Sequence, residues 1–434
     1  MFRPEVDRRT DVLFIENSIG LSGSTMSLCT LLNYLDPAVI EAHIVLSRPE
    51  QDTYMLGHLR RPGDLVVIAP RRSTKQAPAV QRMLERLDRR PALCRLVLRA
   101  ASLLDLAVVT LPYVLRLHRY AKARAIRLIH QNNGFDLASL ILARLLRVPL
   151  VAYQRGDEWN SFAVRVLARG IHHFIANSAT TRASLLSLRI PSRKISVIYP
   201  PLDLDTFQVA RDSNVTRAAF GVDASSLCFG IVGMLLPWKG HTVFLRAARQ
   251  VLERLPNARA FVVGAAPSRG KAYEEELRAL AQELGIADRV IFTGFRDDVS
   301  EMLTLLDVVV HASTAPEPFG RVIAEAMAMR RPVIATRAGG PTEIIEDGRT
   351  GFLVPPGDVE ALAGQITTLL TDSALAGRIA EAGYQEARER FSAEAHSALV
   401  QGVYDRVLRP KRTPGAQRRH AIPIPDTLHK EAKR

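Results

Sequence analysis

Cysteine is nearly absent. Cys29, Cys94 and Cys228 are the only three in 434 residues, and they stand far apart with no CxxC pair. That excludes a disulfide framework and suits a reducing cytosol. Aromatic residues make up 6% of the chain, too few for a row of base-stacking platforms, which counts against a nucleic-acid reader. Long apolar runs are missing as well. Ala100 to Leu115 is strongly apolar, but Asp105 and Pro112 interrupt it and only 16 residues separate Arg99 from Arg116. That is short for a membrane span. The start, Met1 to Arg9, is polar with no apolar signal core, which predicts a cytoplasmic chain. No short tandem repeat is visible. His172-His173 adjoins a strand and has no partners at metal-ligand spacing, so packing or surface exposure is the expected role. Gly20-Leu-Ser-Gly23 falls short of a full GxGxxG fingerprint, which gives a dehydrogenase little support.

Positive charge is abundant but local. The formal net charge is +14. From Arg60 to His130, 16 Lys/Arg stand against 4 Asp/Glu, and from Arg409 to Arg434, 8 stand against 2. The rest of the chain is slightly acidic. A patch this concentrated points to an anionic surface, with a solvated arginine-rich face as the bland alternative. Lipid is favoured over nucleic acid because apolar residues lie inside the patch: Leu103, Leu104, Leu106, Val108, Val109, Leu111, Val114 and Leu115. A basic, apolar helix can lie in a membrane interface; the same pattern also suits a buried core helix.

Strands and helices alternate throughout, the pattern of α/β folds with parallel sheets. The expected strands of the first half are Asp11–Glu16, Ala42–Leu46, Leu65–Ala69, Arg127–His130, Leu150–Tyr153, Phe174–Asn177 and Ile195–Tyr199. The proline-led segment Pro200 to Phe207 is the expected connector. The second half restarts at Leu227–Val232, followed by Ala260–Val263, Val290–Phe292, Val308–Ala312 and Pro332–Thr336. Residues 1–200 therefore read as a first domain with a basic, apolar insertion at 60–130. Residues 201–409 read as a second domain, with a return of its last helix to the first as one expected arrangement, and 410–434 as a disordered basic tail.

The most informative stretch is Glu317-Pro-Phe-Gly-Arg-Val-Ile-Ala-Glu325. A strand precedes it, and a helix expected from about Gly320 to Met329 carries its second half. A glycine at a helix start leaves backbone N–H groups free at the positive end of the helix dipole, a ready anion site. Two carboxylates flank it. Phosphate between two hydroxyl-binding carboxylates is what a nucleotide-sugar needs. Lys239, in the turn Gly233-Met-Leu-Leu-Pro-Trp-Lys-Gly-His241, can set its ammonium against phosphate oxygens. Gly264, Gly294-Phe295 and Gly339-Gly340 fall at further strand ends, where ligands bind in open α/β sheets.

These runs resemble the retaining family 4 glycosyltransferases. The match includes Met234 to His241, Glu317 to Ala328, Pro332 to Ile345 and Glu346 to Asp358, with Phe174 to Ser178 and Lys194 to Asp203 in the first half. The resemblance implies a GT-B fold, two facing Rossmann-like doubly wound domains with a cleft between them. It implies that Glu317 contacts donor-sugar hydroxyls near the reacting carbon, with Lys239 beside it, and that Glu325 binds the ribose. Backbone N–H groups from Gly320 through Arg321 to Val322 would hold the diphosphate together with Lys239. Main chain near Phe295 would face the base, Gly233 would line the phosphate loop, and Gly20 and Gly23 would let the first domain's loop approach. The implied reaction is hexosyl transfer from a nucleotide-diphosphate sugar to a glycan or lipid-linked acceptor, with retention, no metal and no cofactor. An anionic membrane surface, on the inner face of the cytoplasmic membrane, is the expected further partner, and no specific nucleic acid.

Two positions depart from the family pattern. Met234 stands where an arginine often follows the phosphate-loop glycine, so either one phosphate-binding charge is missing or another residue supplies it, with Arg321 a candidate. Gln154-Arg155-Gly156 stands where a histidine often precedes the cleft glycine. Arg155, on the acceptor side, can hold an anion but cannot act as a base. Asp203-Leu-Asp205 is a D-x-D string that binds metal in a different glycosyltransferase class; its place in the connector argues against that role. The departures leave a second reading, a non-catalytic sugar-nucleotide sensor or scaffold on the same fold. A third is a nucleic-acid binder using the basic patch.

Overall fold

A computed structural model describes residues 9–17, 23–47, 55–61, 63–70, 73–74, 77, 79–80, 82–83, 91–156, 161–208, 213–267 and 270–409. Gly20 and the basic tail 410–434 lie outside the described residues.

Two parallel sheets organise the chain. The first has seven strands: β1 (Thr10–Glu16), β2 (Ile40–Leu46), β3 (Asp64–Val67), β4 (Leu128–Gln131), β5 (Leu150–Gln154), β6 (His173–Ala176) and β7 (Ile195–Val197). Their spatial order is β3-β2-β1-β4-β5-β6-β7. The second has six: β8 (Leu227–Val232), β9 (Ala258–Val263), β10 (Val290–Gly294), β11 (Val308–His311), β12 (Val333–Thr336) and β13 (Phe352–Val354). Their order is β10-β9-β8-β11-β12-β13. Each order reverses beside its first strand, so each sheet has a switch point where strand ends open a crevice. Central strands are buried on both faces. Val12, Leu13, Phe14, Val308, Val309 and Val310 are all sealed from solvent, as covering helices on both sides of a parallel sheet require.

The chain passes between the two sheets near residue 200 and returns at the end. Leu202 donates its N–H to the Phe391 carbonyl at 2.8 Å. Tyr199 packs against the rings of Phe319 and Phe391, 5.8 and 5.7 Å away, and those two rings also touch each other. The helix Ser373–Phe391 then ends at Ser392, whose hydroxyl caps the helix Ala393–Leu408 by accepting from Ala395 N. That last helix packs into the first sheet's core. Val400, Val403 and Tyr404 join Val12, Phe14 and Leu28 there, and Tyr404 Oη meets His130 Nδ1 at 2.8 Å.

The apolar segment of the basic region forms the helices Pro91–Asp105 and Leu111–Ala123, joined by a π-helical stretch Leu106–Thr110. Pro112 has no N–H to give, and the wider turn ahead of it absorbs that loss without breaking the rod. One face is core: Tyr113, Val114, Leu117 and Ala121 are buried. The other is open, with Leu96, Leu103 and Leu115 exposed by 62%, 70% and 53%. Among the described residues no helix is long and apolar enough to cross a membrane.

Candidate active site

The loop after β11 carries Glu317 into the space between the two sheets. Gly340 N donates to the Glu317 carbonyl at 2.7 Å. Gly339, at φ 73°, comes so close that a Cβ there would lie 2.4 Å from the same carbonyl. Only glycine fits that seat. The loop ends at Gly320, whose φ of 96° turns the chain into the helix Arg321–Ala328. No side chain caps this helix start, so N–H groups of its first turn face outward at the positive end of the dipole.

Glu317 is a buried carboxylate with a dense set of donors. Lys239 Nζ reaches its Oε2 at 2.5 Å. Ser313 Oγ donates to the same oxygen at 3.2 Å, and His311 Nε2 lies 3.2 Å from it. Burial alone would raise the carboxyl pKa, but the His311 hydrogen bond and the Lys239 charge outweigh it and bring it down to about 2. Lys239 also lies over the Trp238 ring, 4.3 Å from its centroid. Glu325 is buried one helical turn past Arg321 and accepts from Arg321 Nε at 2.5 Å.

The first sheet supplies the opposite wall. Arg321 Nη1 donates to Ser27 Oγ at 2.8 Å, on the helix Gly23–Tyr34, and a Cβ on Gly23 would stand 3.5 Å from Arg321 Cδ. A Cβ on Gly156 would stand 3.9 Å from Pro318 Cγ. The loops after β1 and β5 thus touch the segment that carries Glu317 and Arg321. Arg155 is anchored rather than loose: Nε donates to the Asn132 carbonyl at 3.0 Å, Nη2 donates to Asn132 Oδ1 at 2.8 Å, and the guanidinium lies 3.9 Å above the Tyr153 ring. Asn132 in turn donates to the Glu16 carboxylate and to the Ser24 carbonyl.

Of the residues singled out from sequence, Glu317, Lys239, Gly320, Arg321, Val322, Glu325, Gly23 and Arg155 therefore gather at one cleft. Gly233 directly follows β8, and Phe295, 67% exposed, directly follows β10. Met234 is exposed and lies next to Gly233. Asp203 of the D-x-D string accepts from Tyr34 Oη at 2.9 Å and pairs with Arg60. His172 Nδ1 accepts from Leu150 N, and His173 Nε2 meets Ser196 Oγ. Both pairs serve packing. His311, Ser313, Ser27 and Asn132 were not singled out. For His311 a signal existed, a histidine at the C-terminal end of a strand that opens on the cleft.

Comparison with known proteins places this geometry. The family model described as glycosyl transferases group 1 matches residues 212–386, and the one described as glycosyltransferase family 4 matches residues 53–206. A D-inositol 3-phosphate glycosyltransferase of Mycobacterium sp. (strain JLS) is 38% identical over 45% of this chain and 44% of its own. The chain thus spans under half the length of that relative. The lipopolysaccharide core biosynthesis mannosyltransferase LpsB of Rhizobium meliloti is 27% identical over 68% of this chain and 84% of its own. The crystal structure of Anabaena HepE in complex with UDP-glucose is 25% identical, with a TM-score of 0.75 over 92% of this chain and 100% of that one. On both halves, by sequence and by its pair of parallel sheets, the chain belongs to the group 1, family 4 glycosyltransferases of the GT-B fold.

Proposed function

We propose that this chain is a retaining, metal-independent hexosyltransferase. It would move a sugar from a nucleoside-diphosphate donor to a glycan or lipid-linked acceptor in cell-surface polysaccharide or glycolipid synthesis. The observation that carries the reading is the Glu317 carboxylate held on Lys239 beside the uncapped helix start at Gly320. In this reading Glu317 accepts from a donor-sugar hydroxyl. Main-chain N–H groups from Gly320 to Val322 bind the diphosphate, and Lys239, with donors to spare beyond its bond to Glu317, reaches a phosphate oxygen. Glu325 meets the ribose, the loop ends at Gly233 and Phe295 flank the nucleotide, and Gly23, at the start of the helix Gly23–Tyr34, lets the first domain approach the phosphates. The acceptor oxygen attacks the anomeric carbon on the face from which the diphosphate leaves. The C–O bond to phosphate breaks, and the departing phosphate oxygen takes the acceptor proton. Arg155 stands on the acceptor side, where its fixed positive charge suits an anionic or hydroxyl-rich acceptor. HepE's complex with UDP-glucose and LpsB's place in lipopolysaccharide core synthesis support this donor and acceptor class.

The test is a screen of nucleoside-diphosphate sugars by thermal shift, since a ligand of the native state raises its apparent stability, followed by assay of released diphosphate with and without EDTA. Turnover that survives EDTA supports the reading. Binding without turnover in the presence of glycan acceptors favours the scaffold instead.

We also infer a place on the inner face of the cytoplasmic membrane. Leu96, Leu103 and Leu115 face outward between the exposed Arg95, Arg99, Arg116, Arg119 and Lys122, an arrangement suited to the interface of anionic lipid. Leu96 and Leu104 also line an apolar groove of about 310 Å³ with Val80 and Met83. Co-sedimentation with phosphatidylglycerol vesicles but not with phosphatidylcholine vesicles is the expected result; equal binding to both would remove the electrostatic part of the argument.

A further inference from the structure

Every donor that meets the Glu317 carboxylate falls on one of its oxygens. Lys239 Nζ, Ser313 Oγ and His311 Nε2 all address Oε2, at 2.5, 3.2 and 3.2 Å. Oε1 accepts nothing from the described residues, yet it is not among the sealed polar atoms without a partner. It is the oxygen that solvent reaches.

The protonation of His311 follows from its surroundings. Its Nδ1 is sealed and has no hydrogen-bond partner among the described residues. A proton placed there would be a buried donor with no acceptor, and would turn the bare lone pair of Nε2 against a carboxylate. A proton on Nε2 instead points at Glu317 Oε2 and at Ser313 Oγ, 3.2 Å away. The network assigns Nε2–H, and Ser313 then gives its own hydroxyl proton to Oε2.

Lys239 cannot hold the carboxylate alone once a donor binds. Its stem is flexible, its side chain is 21% exposed, and in the reading above its ammonium also serves the diphosphate. His311 ends β11 and Ser313 follows two residues later, both buried. Their positions are set by the sheet and do not change when phosphate enters. We infer that His311, supported by Ser313, is a positioning residue. It pins Glu317 Oε2 to the end of β11 so that Oε1 is presented to a hydroxyl of the donor sugar. The inference rests on the reading of Glu317 as the donor-sugar ligand.

The experiment uses the full-length chain and UDP-glucose, UDP-galactose, GDP-mannose and ADP-glucose, with turnover read as released nucleoside diphosphate. The donor that the wild type uses is carried forward, and its own free nucleoside diphosphate serves as the competing inhibitor. His311→Ala is expected to lower kcat/KM for the donor about tenfold or more, the size of a hydrogen bond to a charged group. Inhibition by the free diphosphate, which has no sugar, should change by less than about twofold. His311→Gln, whose amide can put an N–H near the place of Nε2, should recover most of the loss, and Ser313→Ala should show a smaller loss of the same kind. Unchanged kcat/KM in His311→Ala overturns the inference. So does a parallel loss of donor and diphosphate binding, or a Gln variant as impaired as the Ala variant. If His311→Ala does not fold, the Gln and Ser313 variants decide by the same ratio. A wild type that turns over none of the four donors, or a fully active Glu317→Gln variant, overturns the underlying reading as well. An inactive Glu317→Gln beside an unimpaired His311→Ala overturns the positioning role alone.

Discussion

A carboxylate taken out of water ordinarily holds its proton more tightly. Glu317 does the opposite: its burial is opposed by the His311 hydrogen bond and the Lys239 ammonium, and its pKa falls to about 2. The sign has two consequences. Because the folded pKa lies below the ordinary carboxylate value, this group stabilises the fold fully above about pH 4.5 and loses that contribution only as pH falls toward 2. Glu317 also stays ionised well below neutral pH, so an acid limb in kcat/KM near pH 6 belongs to another group. Glu317→Gln keeps the shape and removes the charge. It should lower kcat about 100-fold or more, the scale seen when one preorganised polar contact is lost from a catalytic site. A kcat/KM pH profile of the wild type, with single-turnover assays of the variant, checks both statements. An acid limb that disappears in a still-active Glu317→Gln variant would contradict them.

Elements differ in how far the sequence exposes them. Strands buried on both faces read as continuous apolar runs, so β1 was expected at Asp11–Glu16 and lies at Thr10–Glu16, and β11 was expected at Val308–Ala312 and lies at Val308–His311. The helix expected from Gly320 to Met329 runs Arg321–Ala328, with Gly320 in the left-handed region that glycine enters at little cost. Contacts made between elements were not legible. The bond from Arg321 to Ser27 joins residues 294 positions apart, and the anchoring of Arg155 on Asn132 depends on β4 and β5 being neighbours. Local pattern carries no record of either. The rod from Pro91 to Ala123 was ambiguous for a physical reason: its leucines occur on all sides, and only packing decides which face is core. Tyr113, Val114 and Leu117 are buried while Leu96, Leu103 and Leu115 are not. Replacing those last three by serine should therefore leave the melting temperature within about 2 °C, since exposed substitutions cost little. The same triple variant should lose most co-sedimentation with phosphatidylglycerol vesicles. Loss of thermal stability with vesicle binding intact would show that the face is covered by protein instead.

At the scale of the molecule, several contacts among the described residues tie the two halves together, and three of them can be tested separately. The last helix, which carries His396, enters the first sheet beside His130; both histidines are buried, and their pKa values are pushed down to about 3 by that burial and, to a lesser extent, by neighbouring charge. The folded state therefore keeps them neutral while the unfolded chain protonates them below its ordinary value near 6.5. Stability should be complete above that value and fall as pH drops, by up to about 1.4 kcal/mol per pH unit for each histidine. Thermal melts from pH 8 to pH 5 should show a steepening loss below pH 6.5; a flat profile would count against neutral burial. The second tie is the contact of Arg321 with Ser27 across the cleft. The third is a carboxylate of one half on a helix end of the other. Glu343 Oε2 accepts from Ala179 N at 2.6 Å, and Oε1 accepts from Thr180 N and Thr180 Oγ1, both at 2.9 Å. These are the first backbone donors of the helix Ala179–Ser187, at the positive end of its dipole. A negative group there contributes about 1 kcal/mol, and this one does so only while the halves remain together. Glu343→Ala should leave both N–H groups to water and shift the balance toward an open cleft by a factor of about five. Small-angle scattering should then give a larger radius of gyration for the variant than for the wild type without donor. Saturating nucleotide-sugar should return it to the wild-type value, because a ligand that bridges both walls binds the closed form alone. Donor affinity should fall by the same factor, and Glu343→Gln, which keeps one acceptor oxygen but no charge, should lie between the two. An unchanged radius with unchanged donor affinity would mean that the remaining contacts hold the halves together without Glu343.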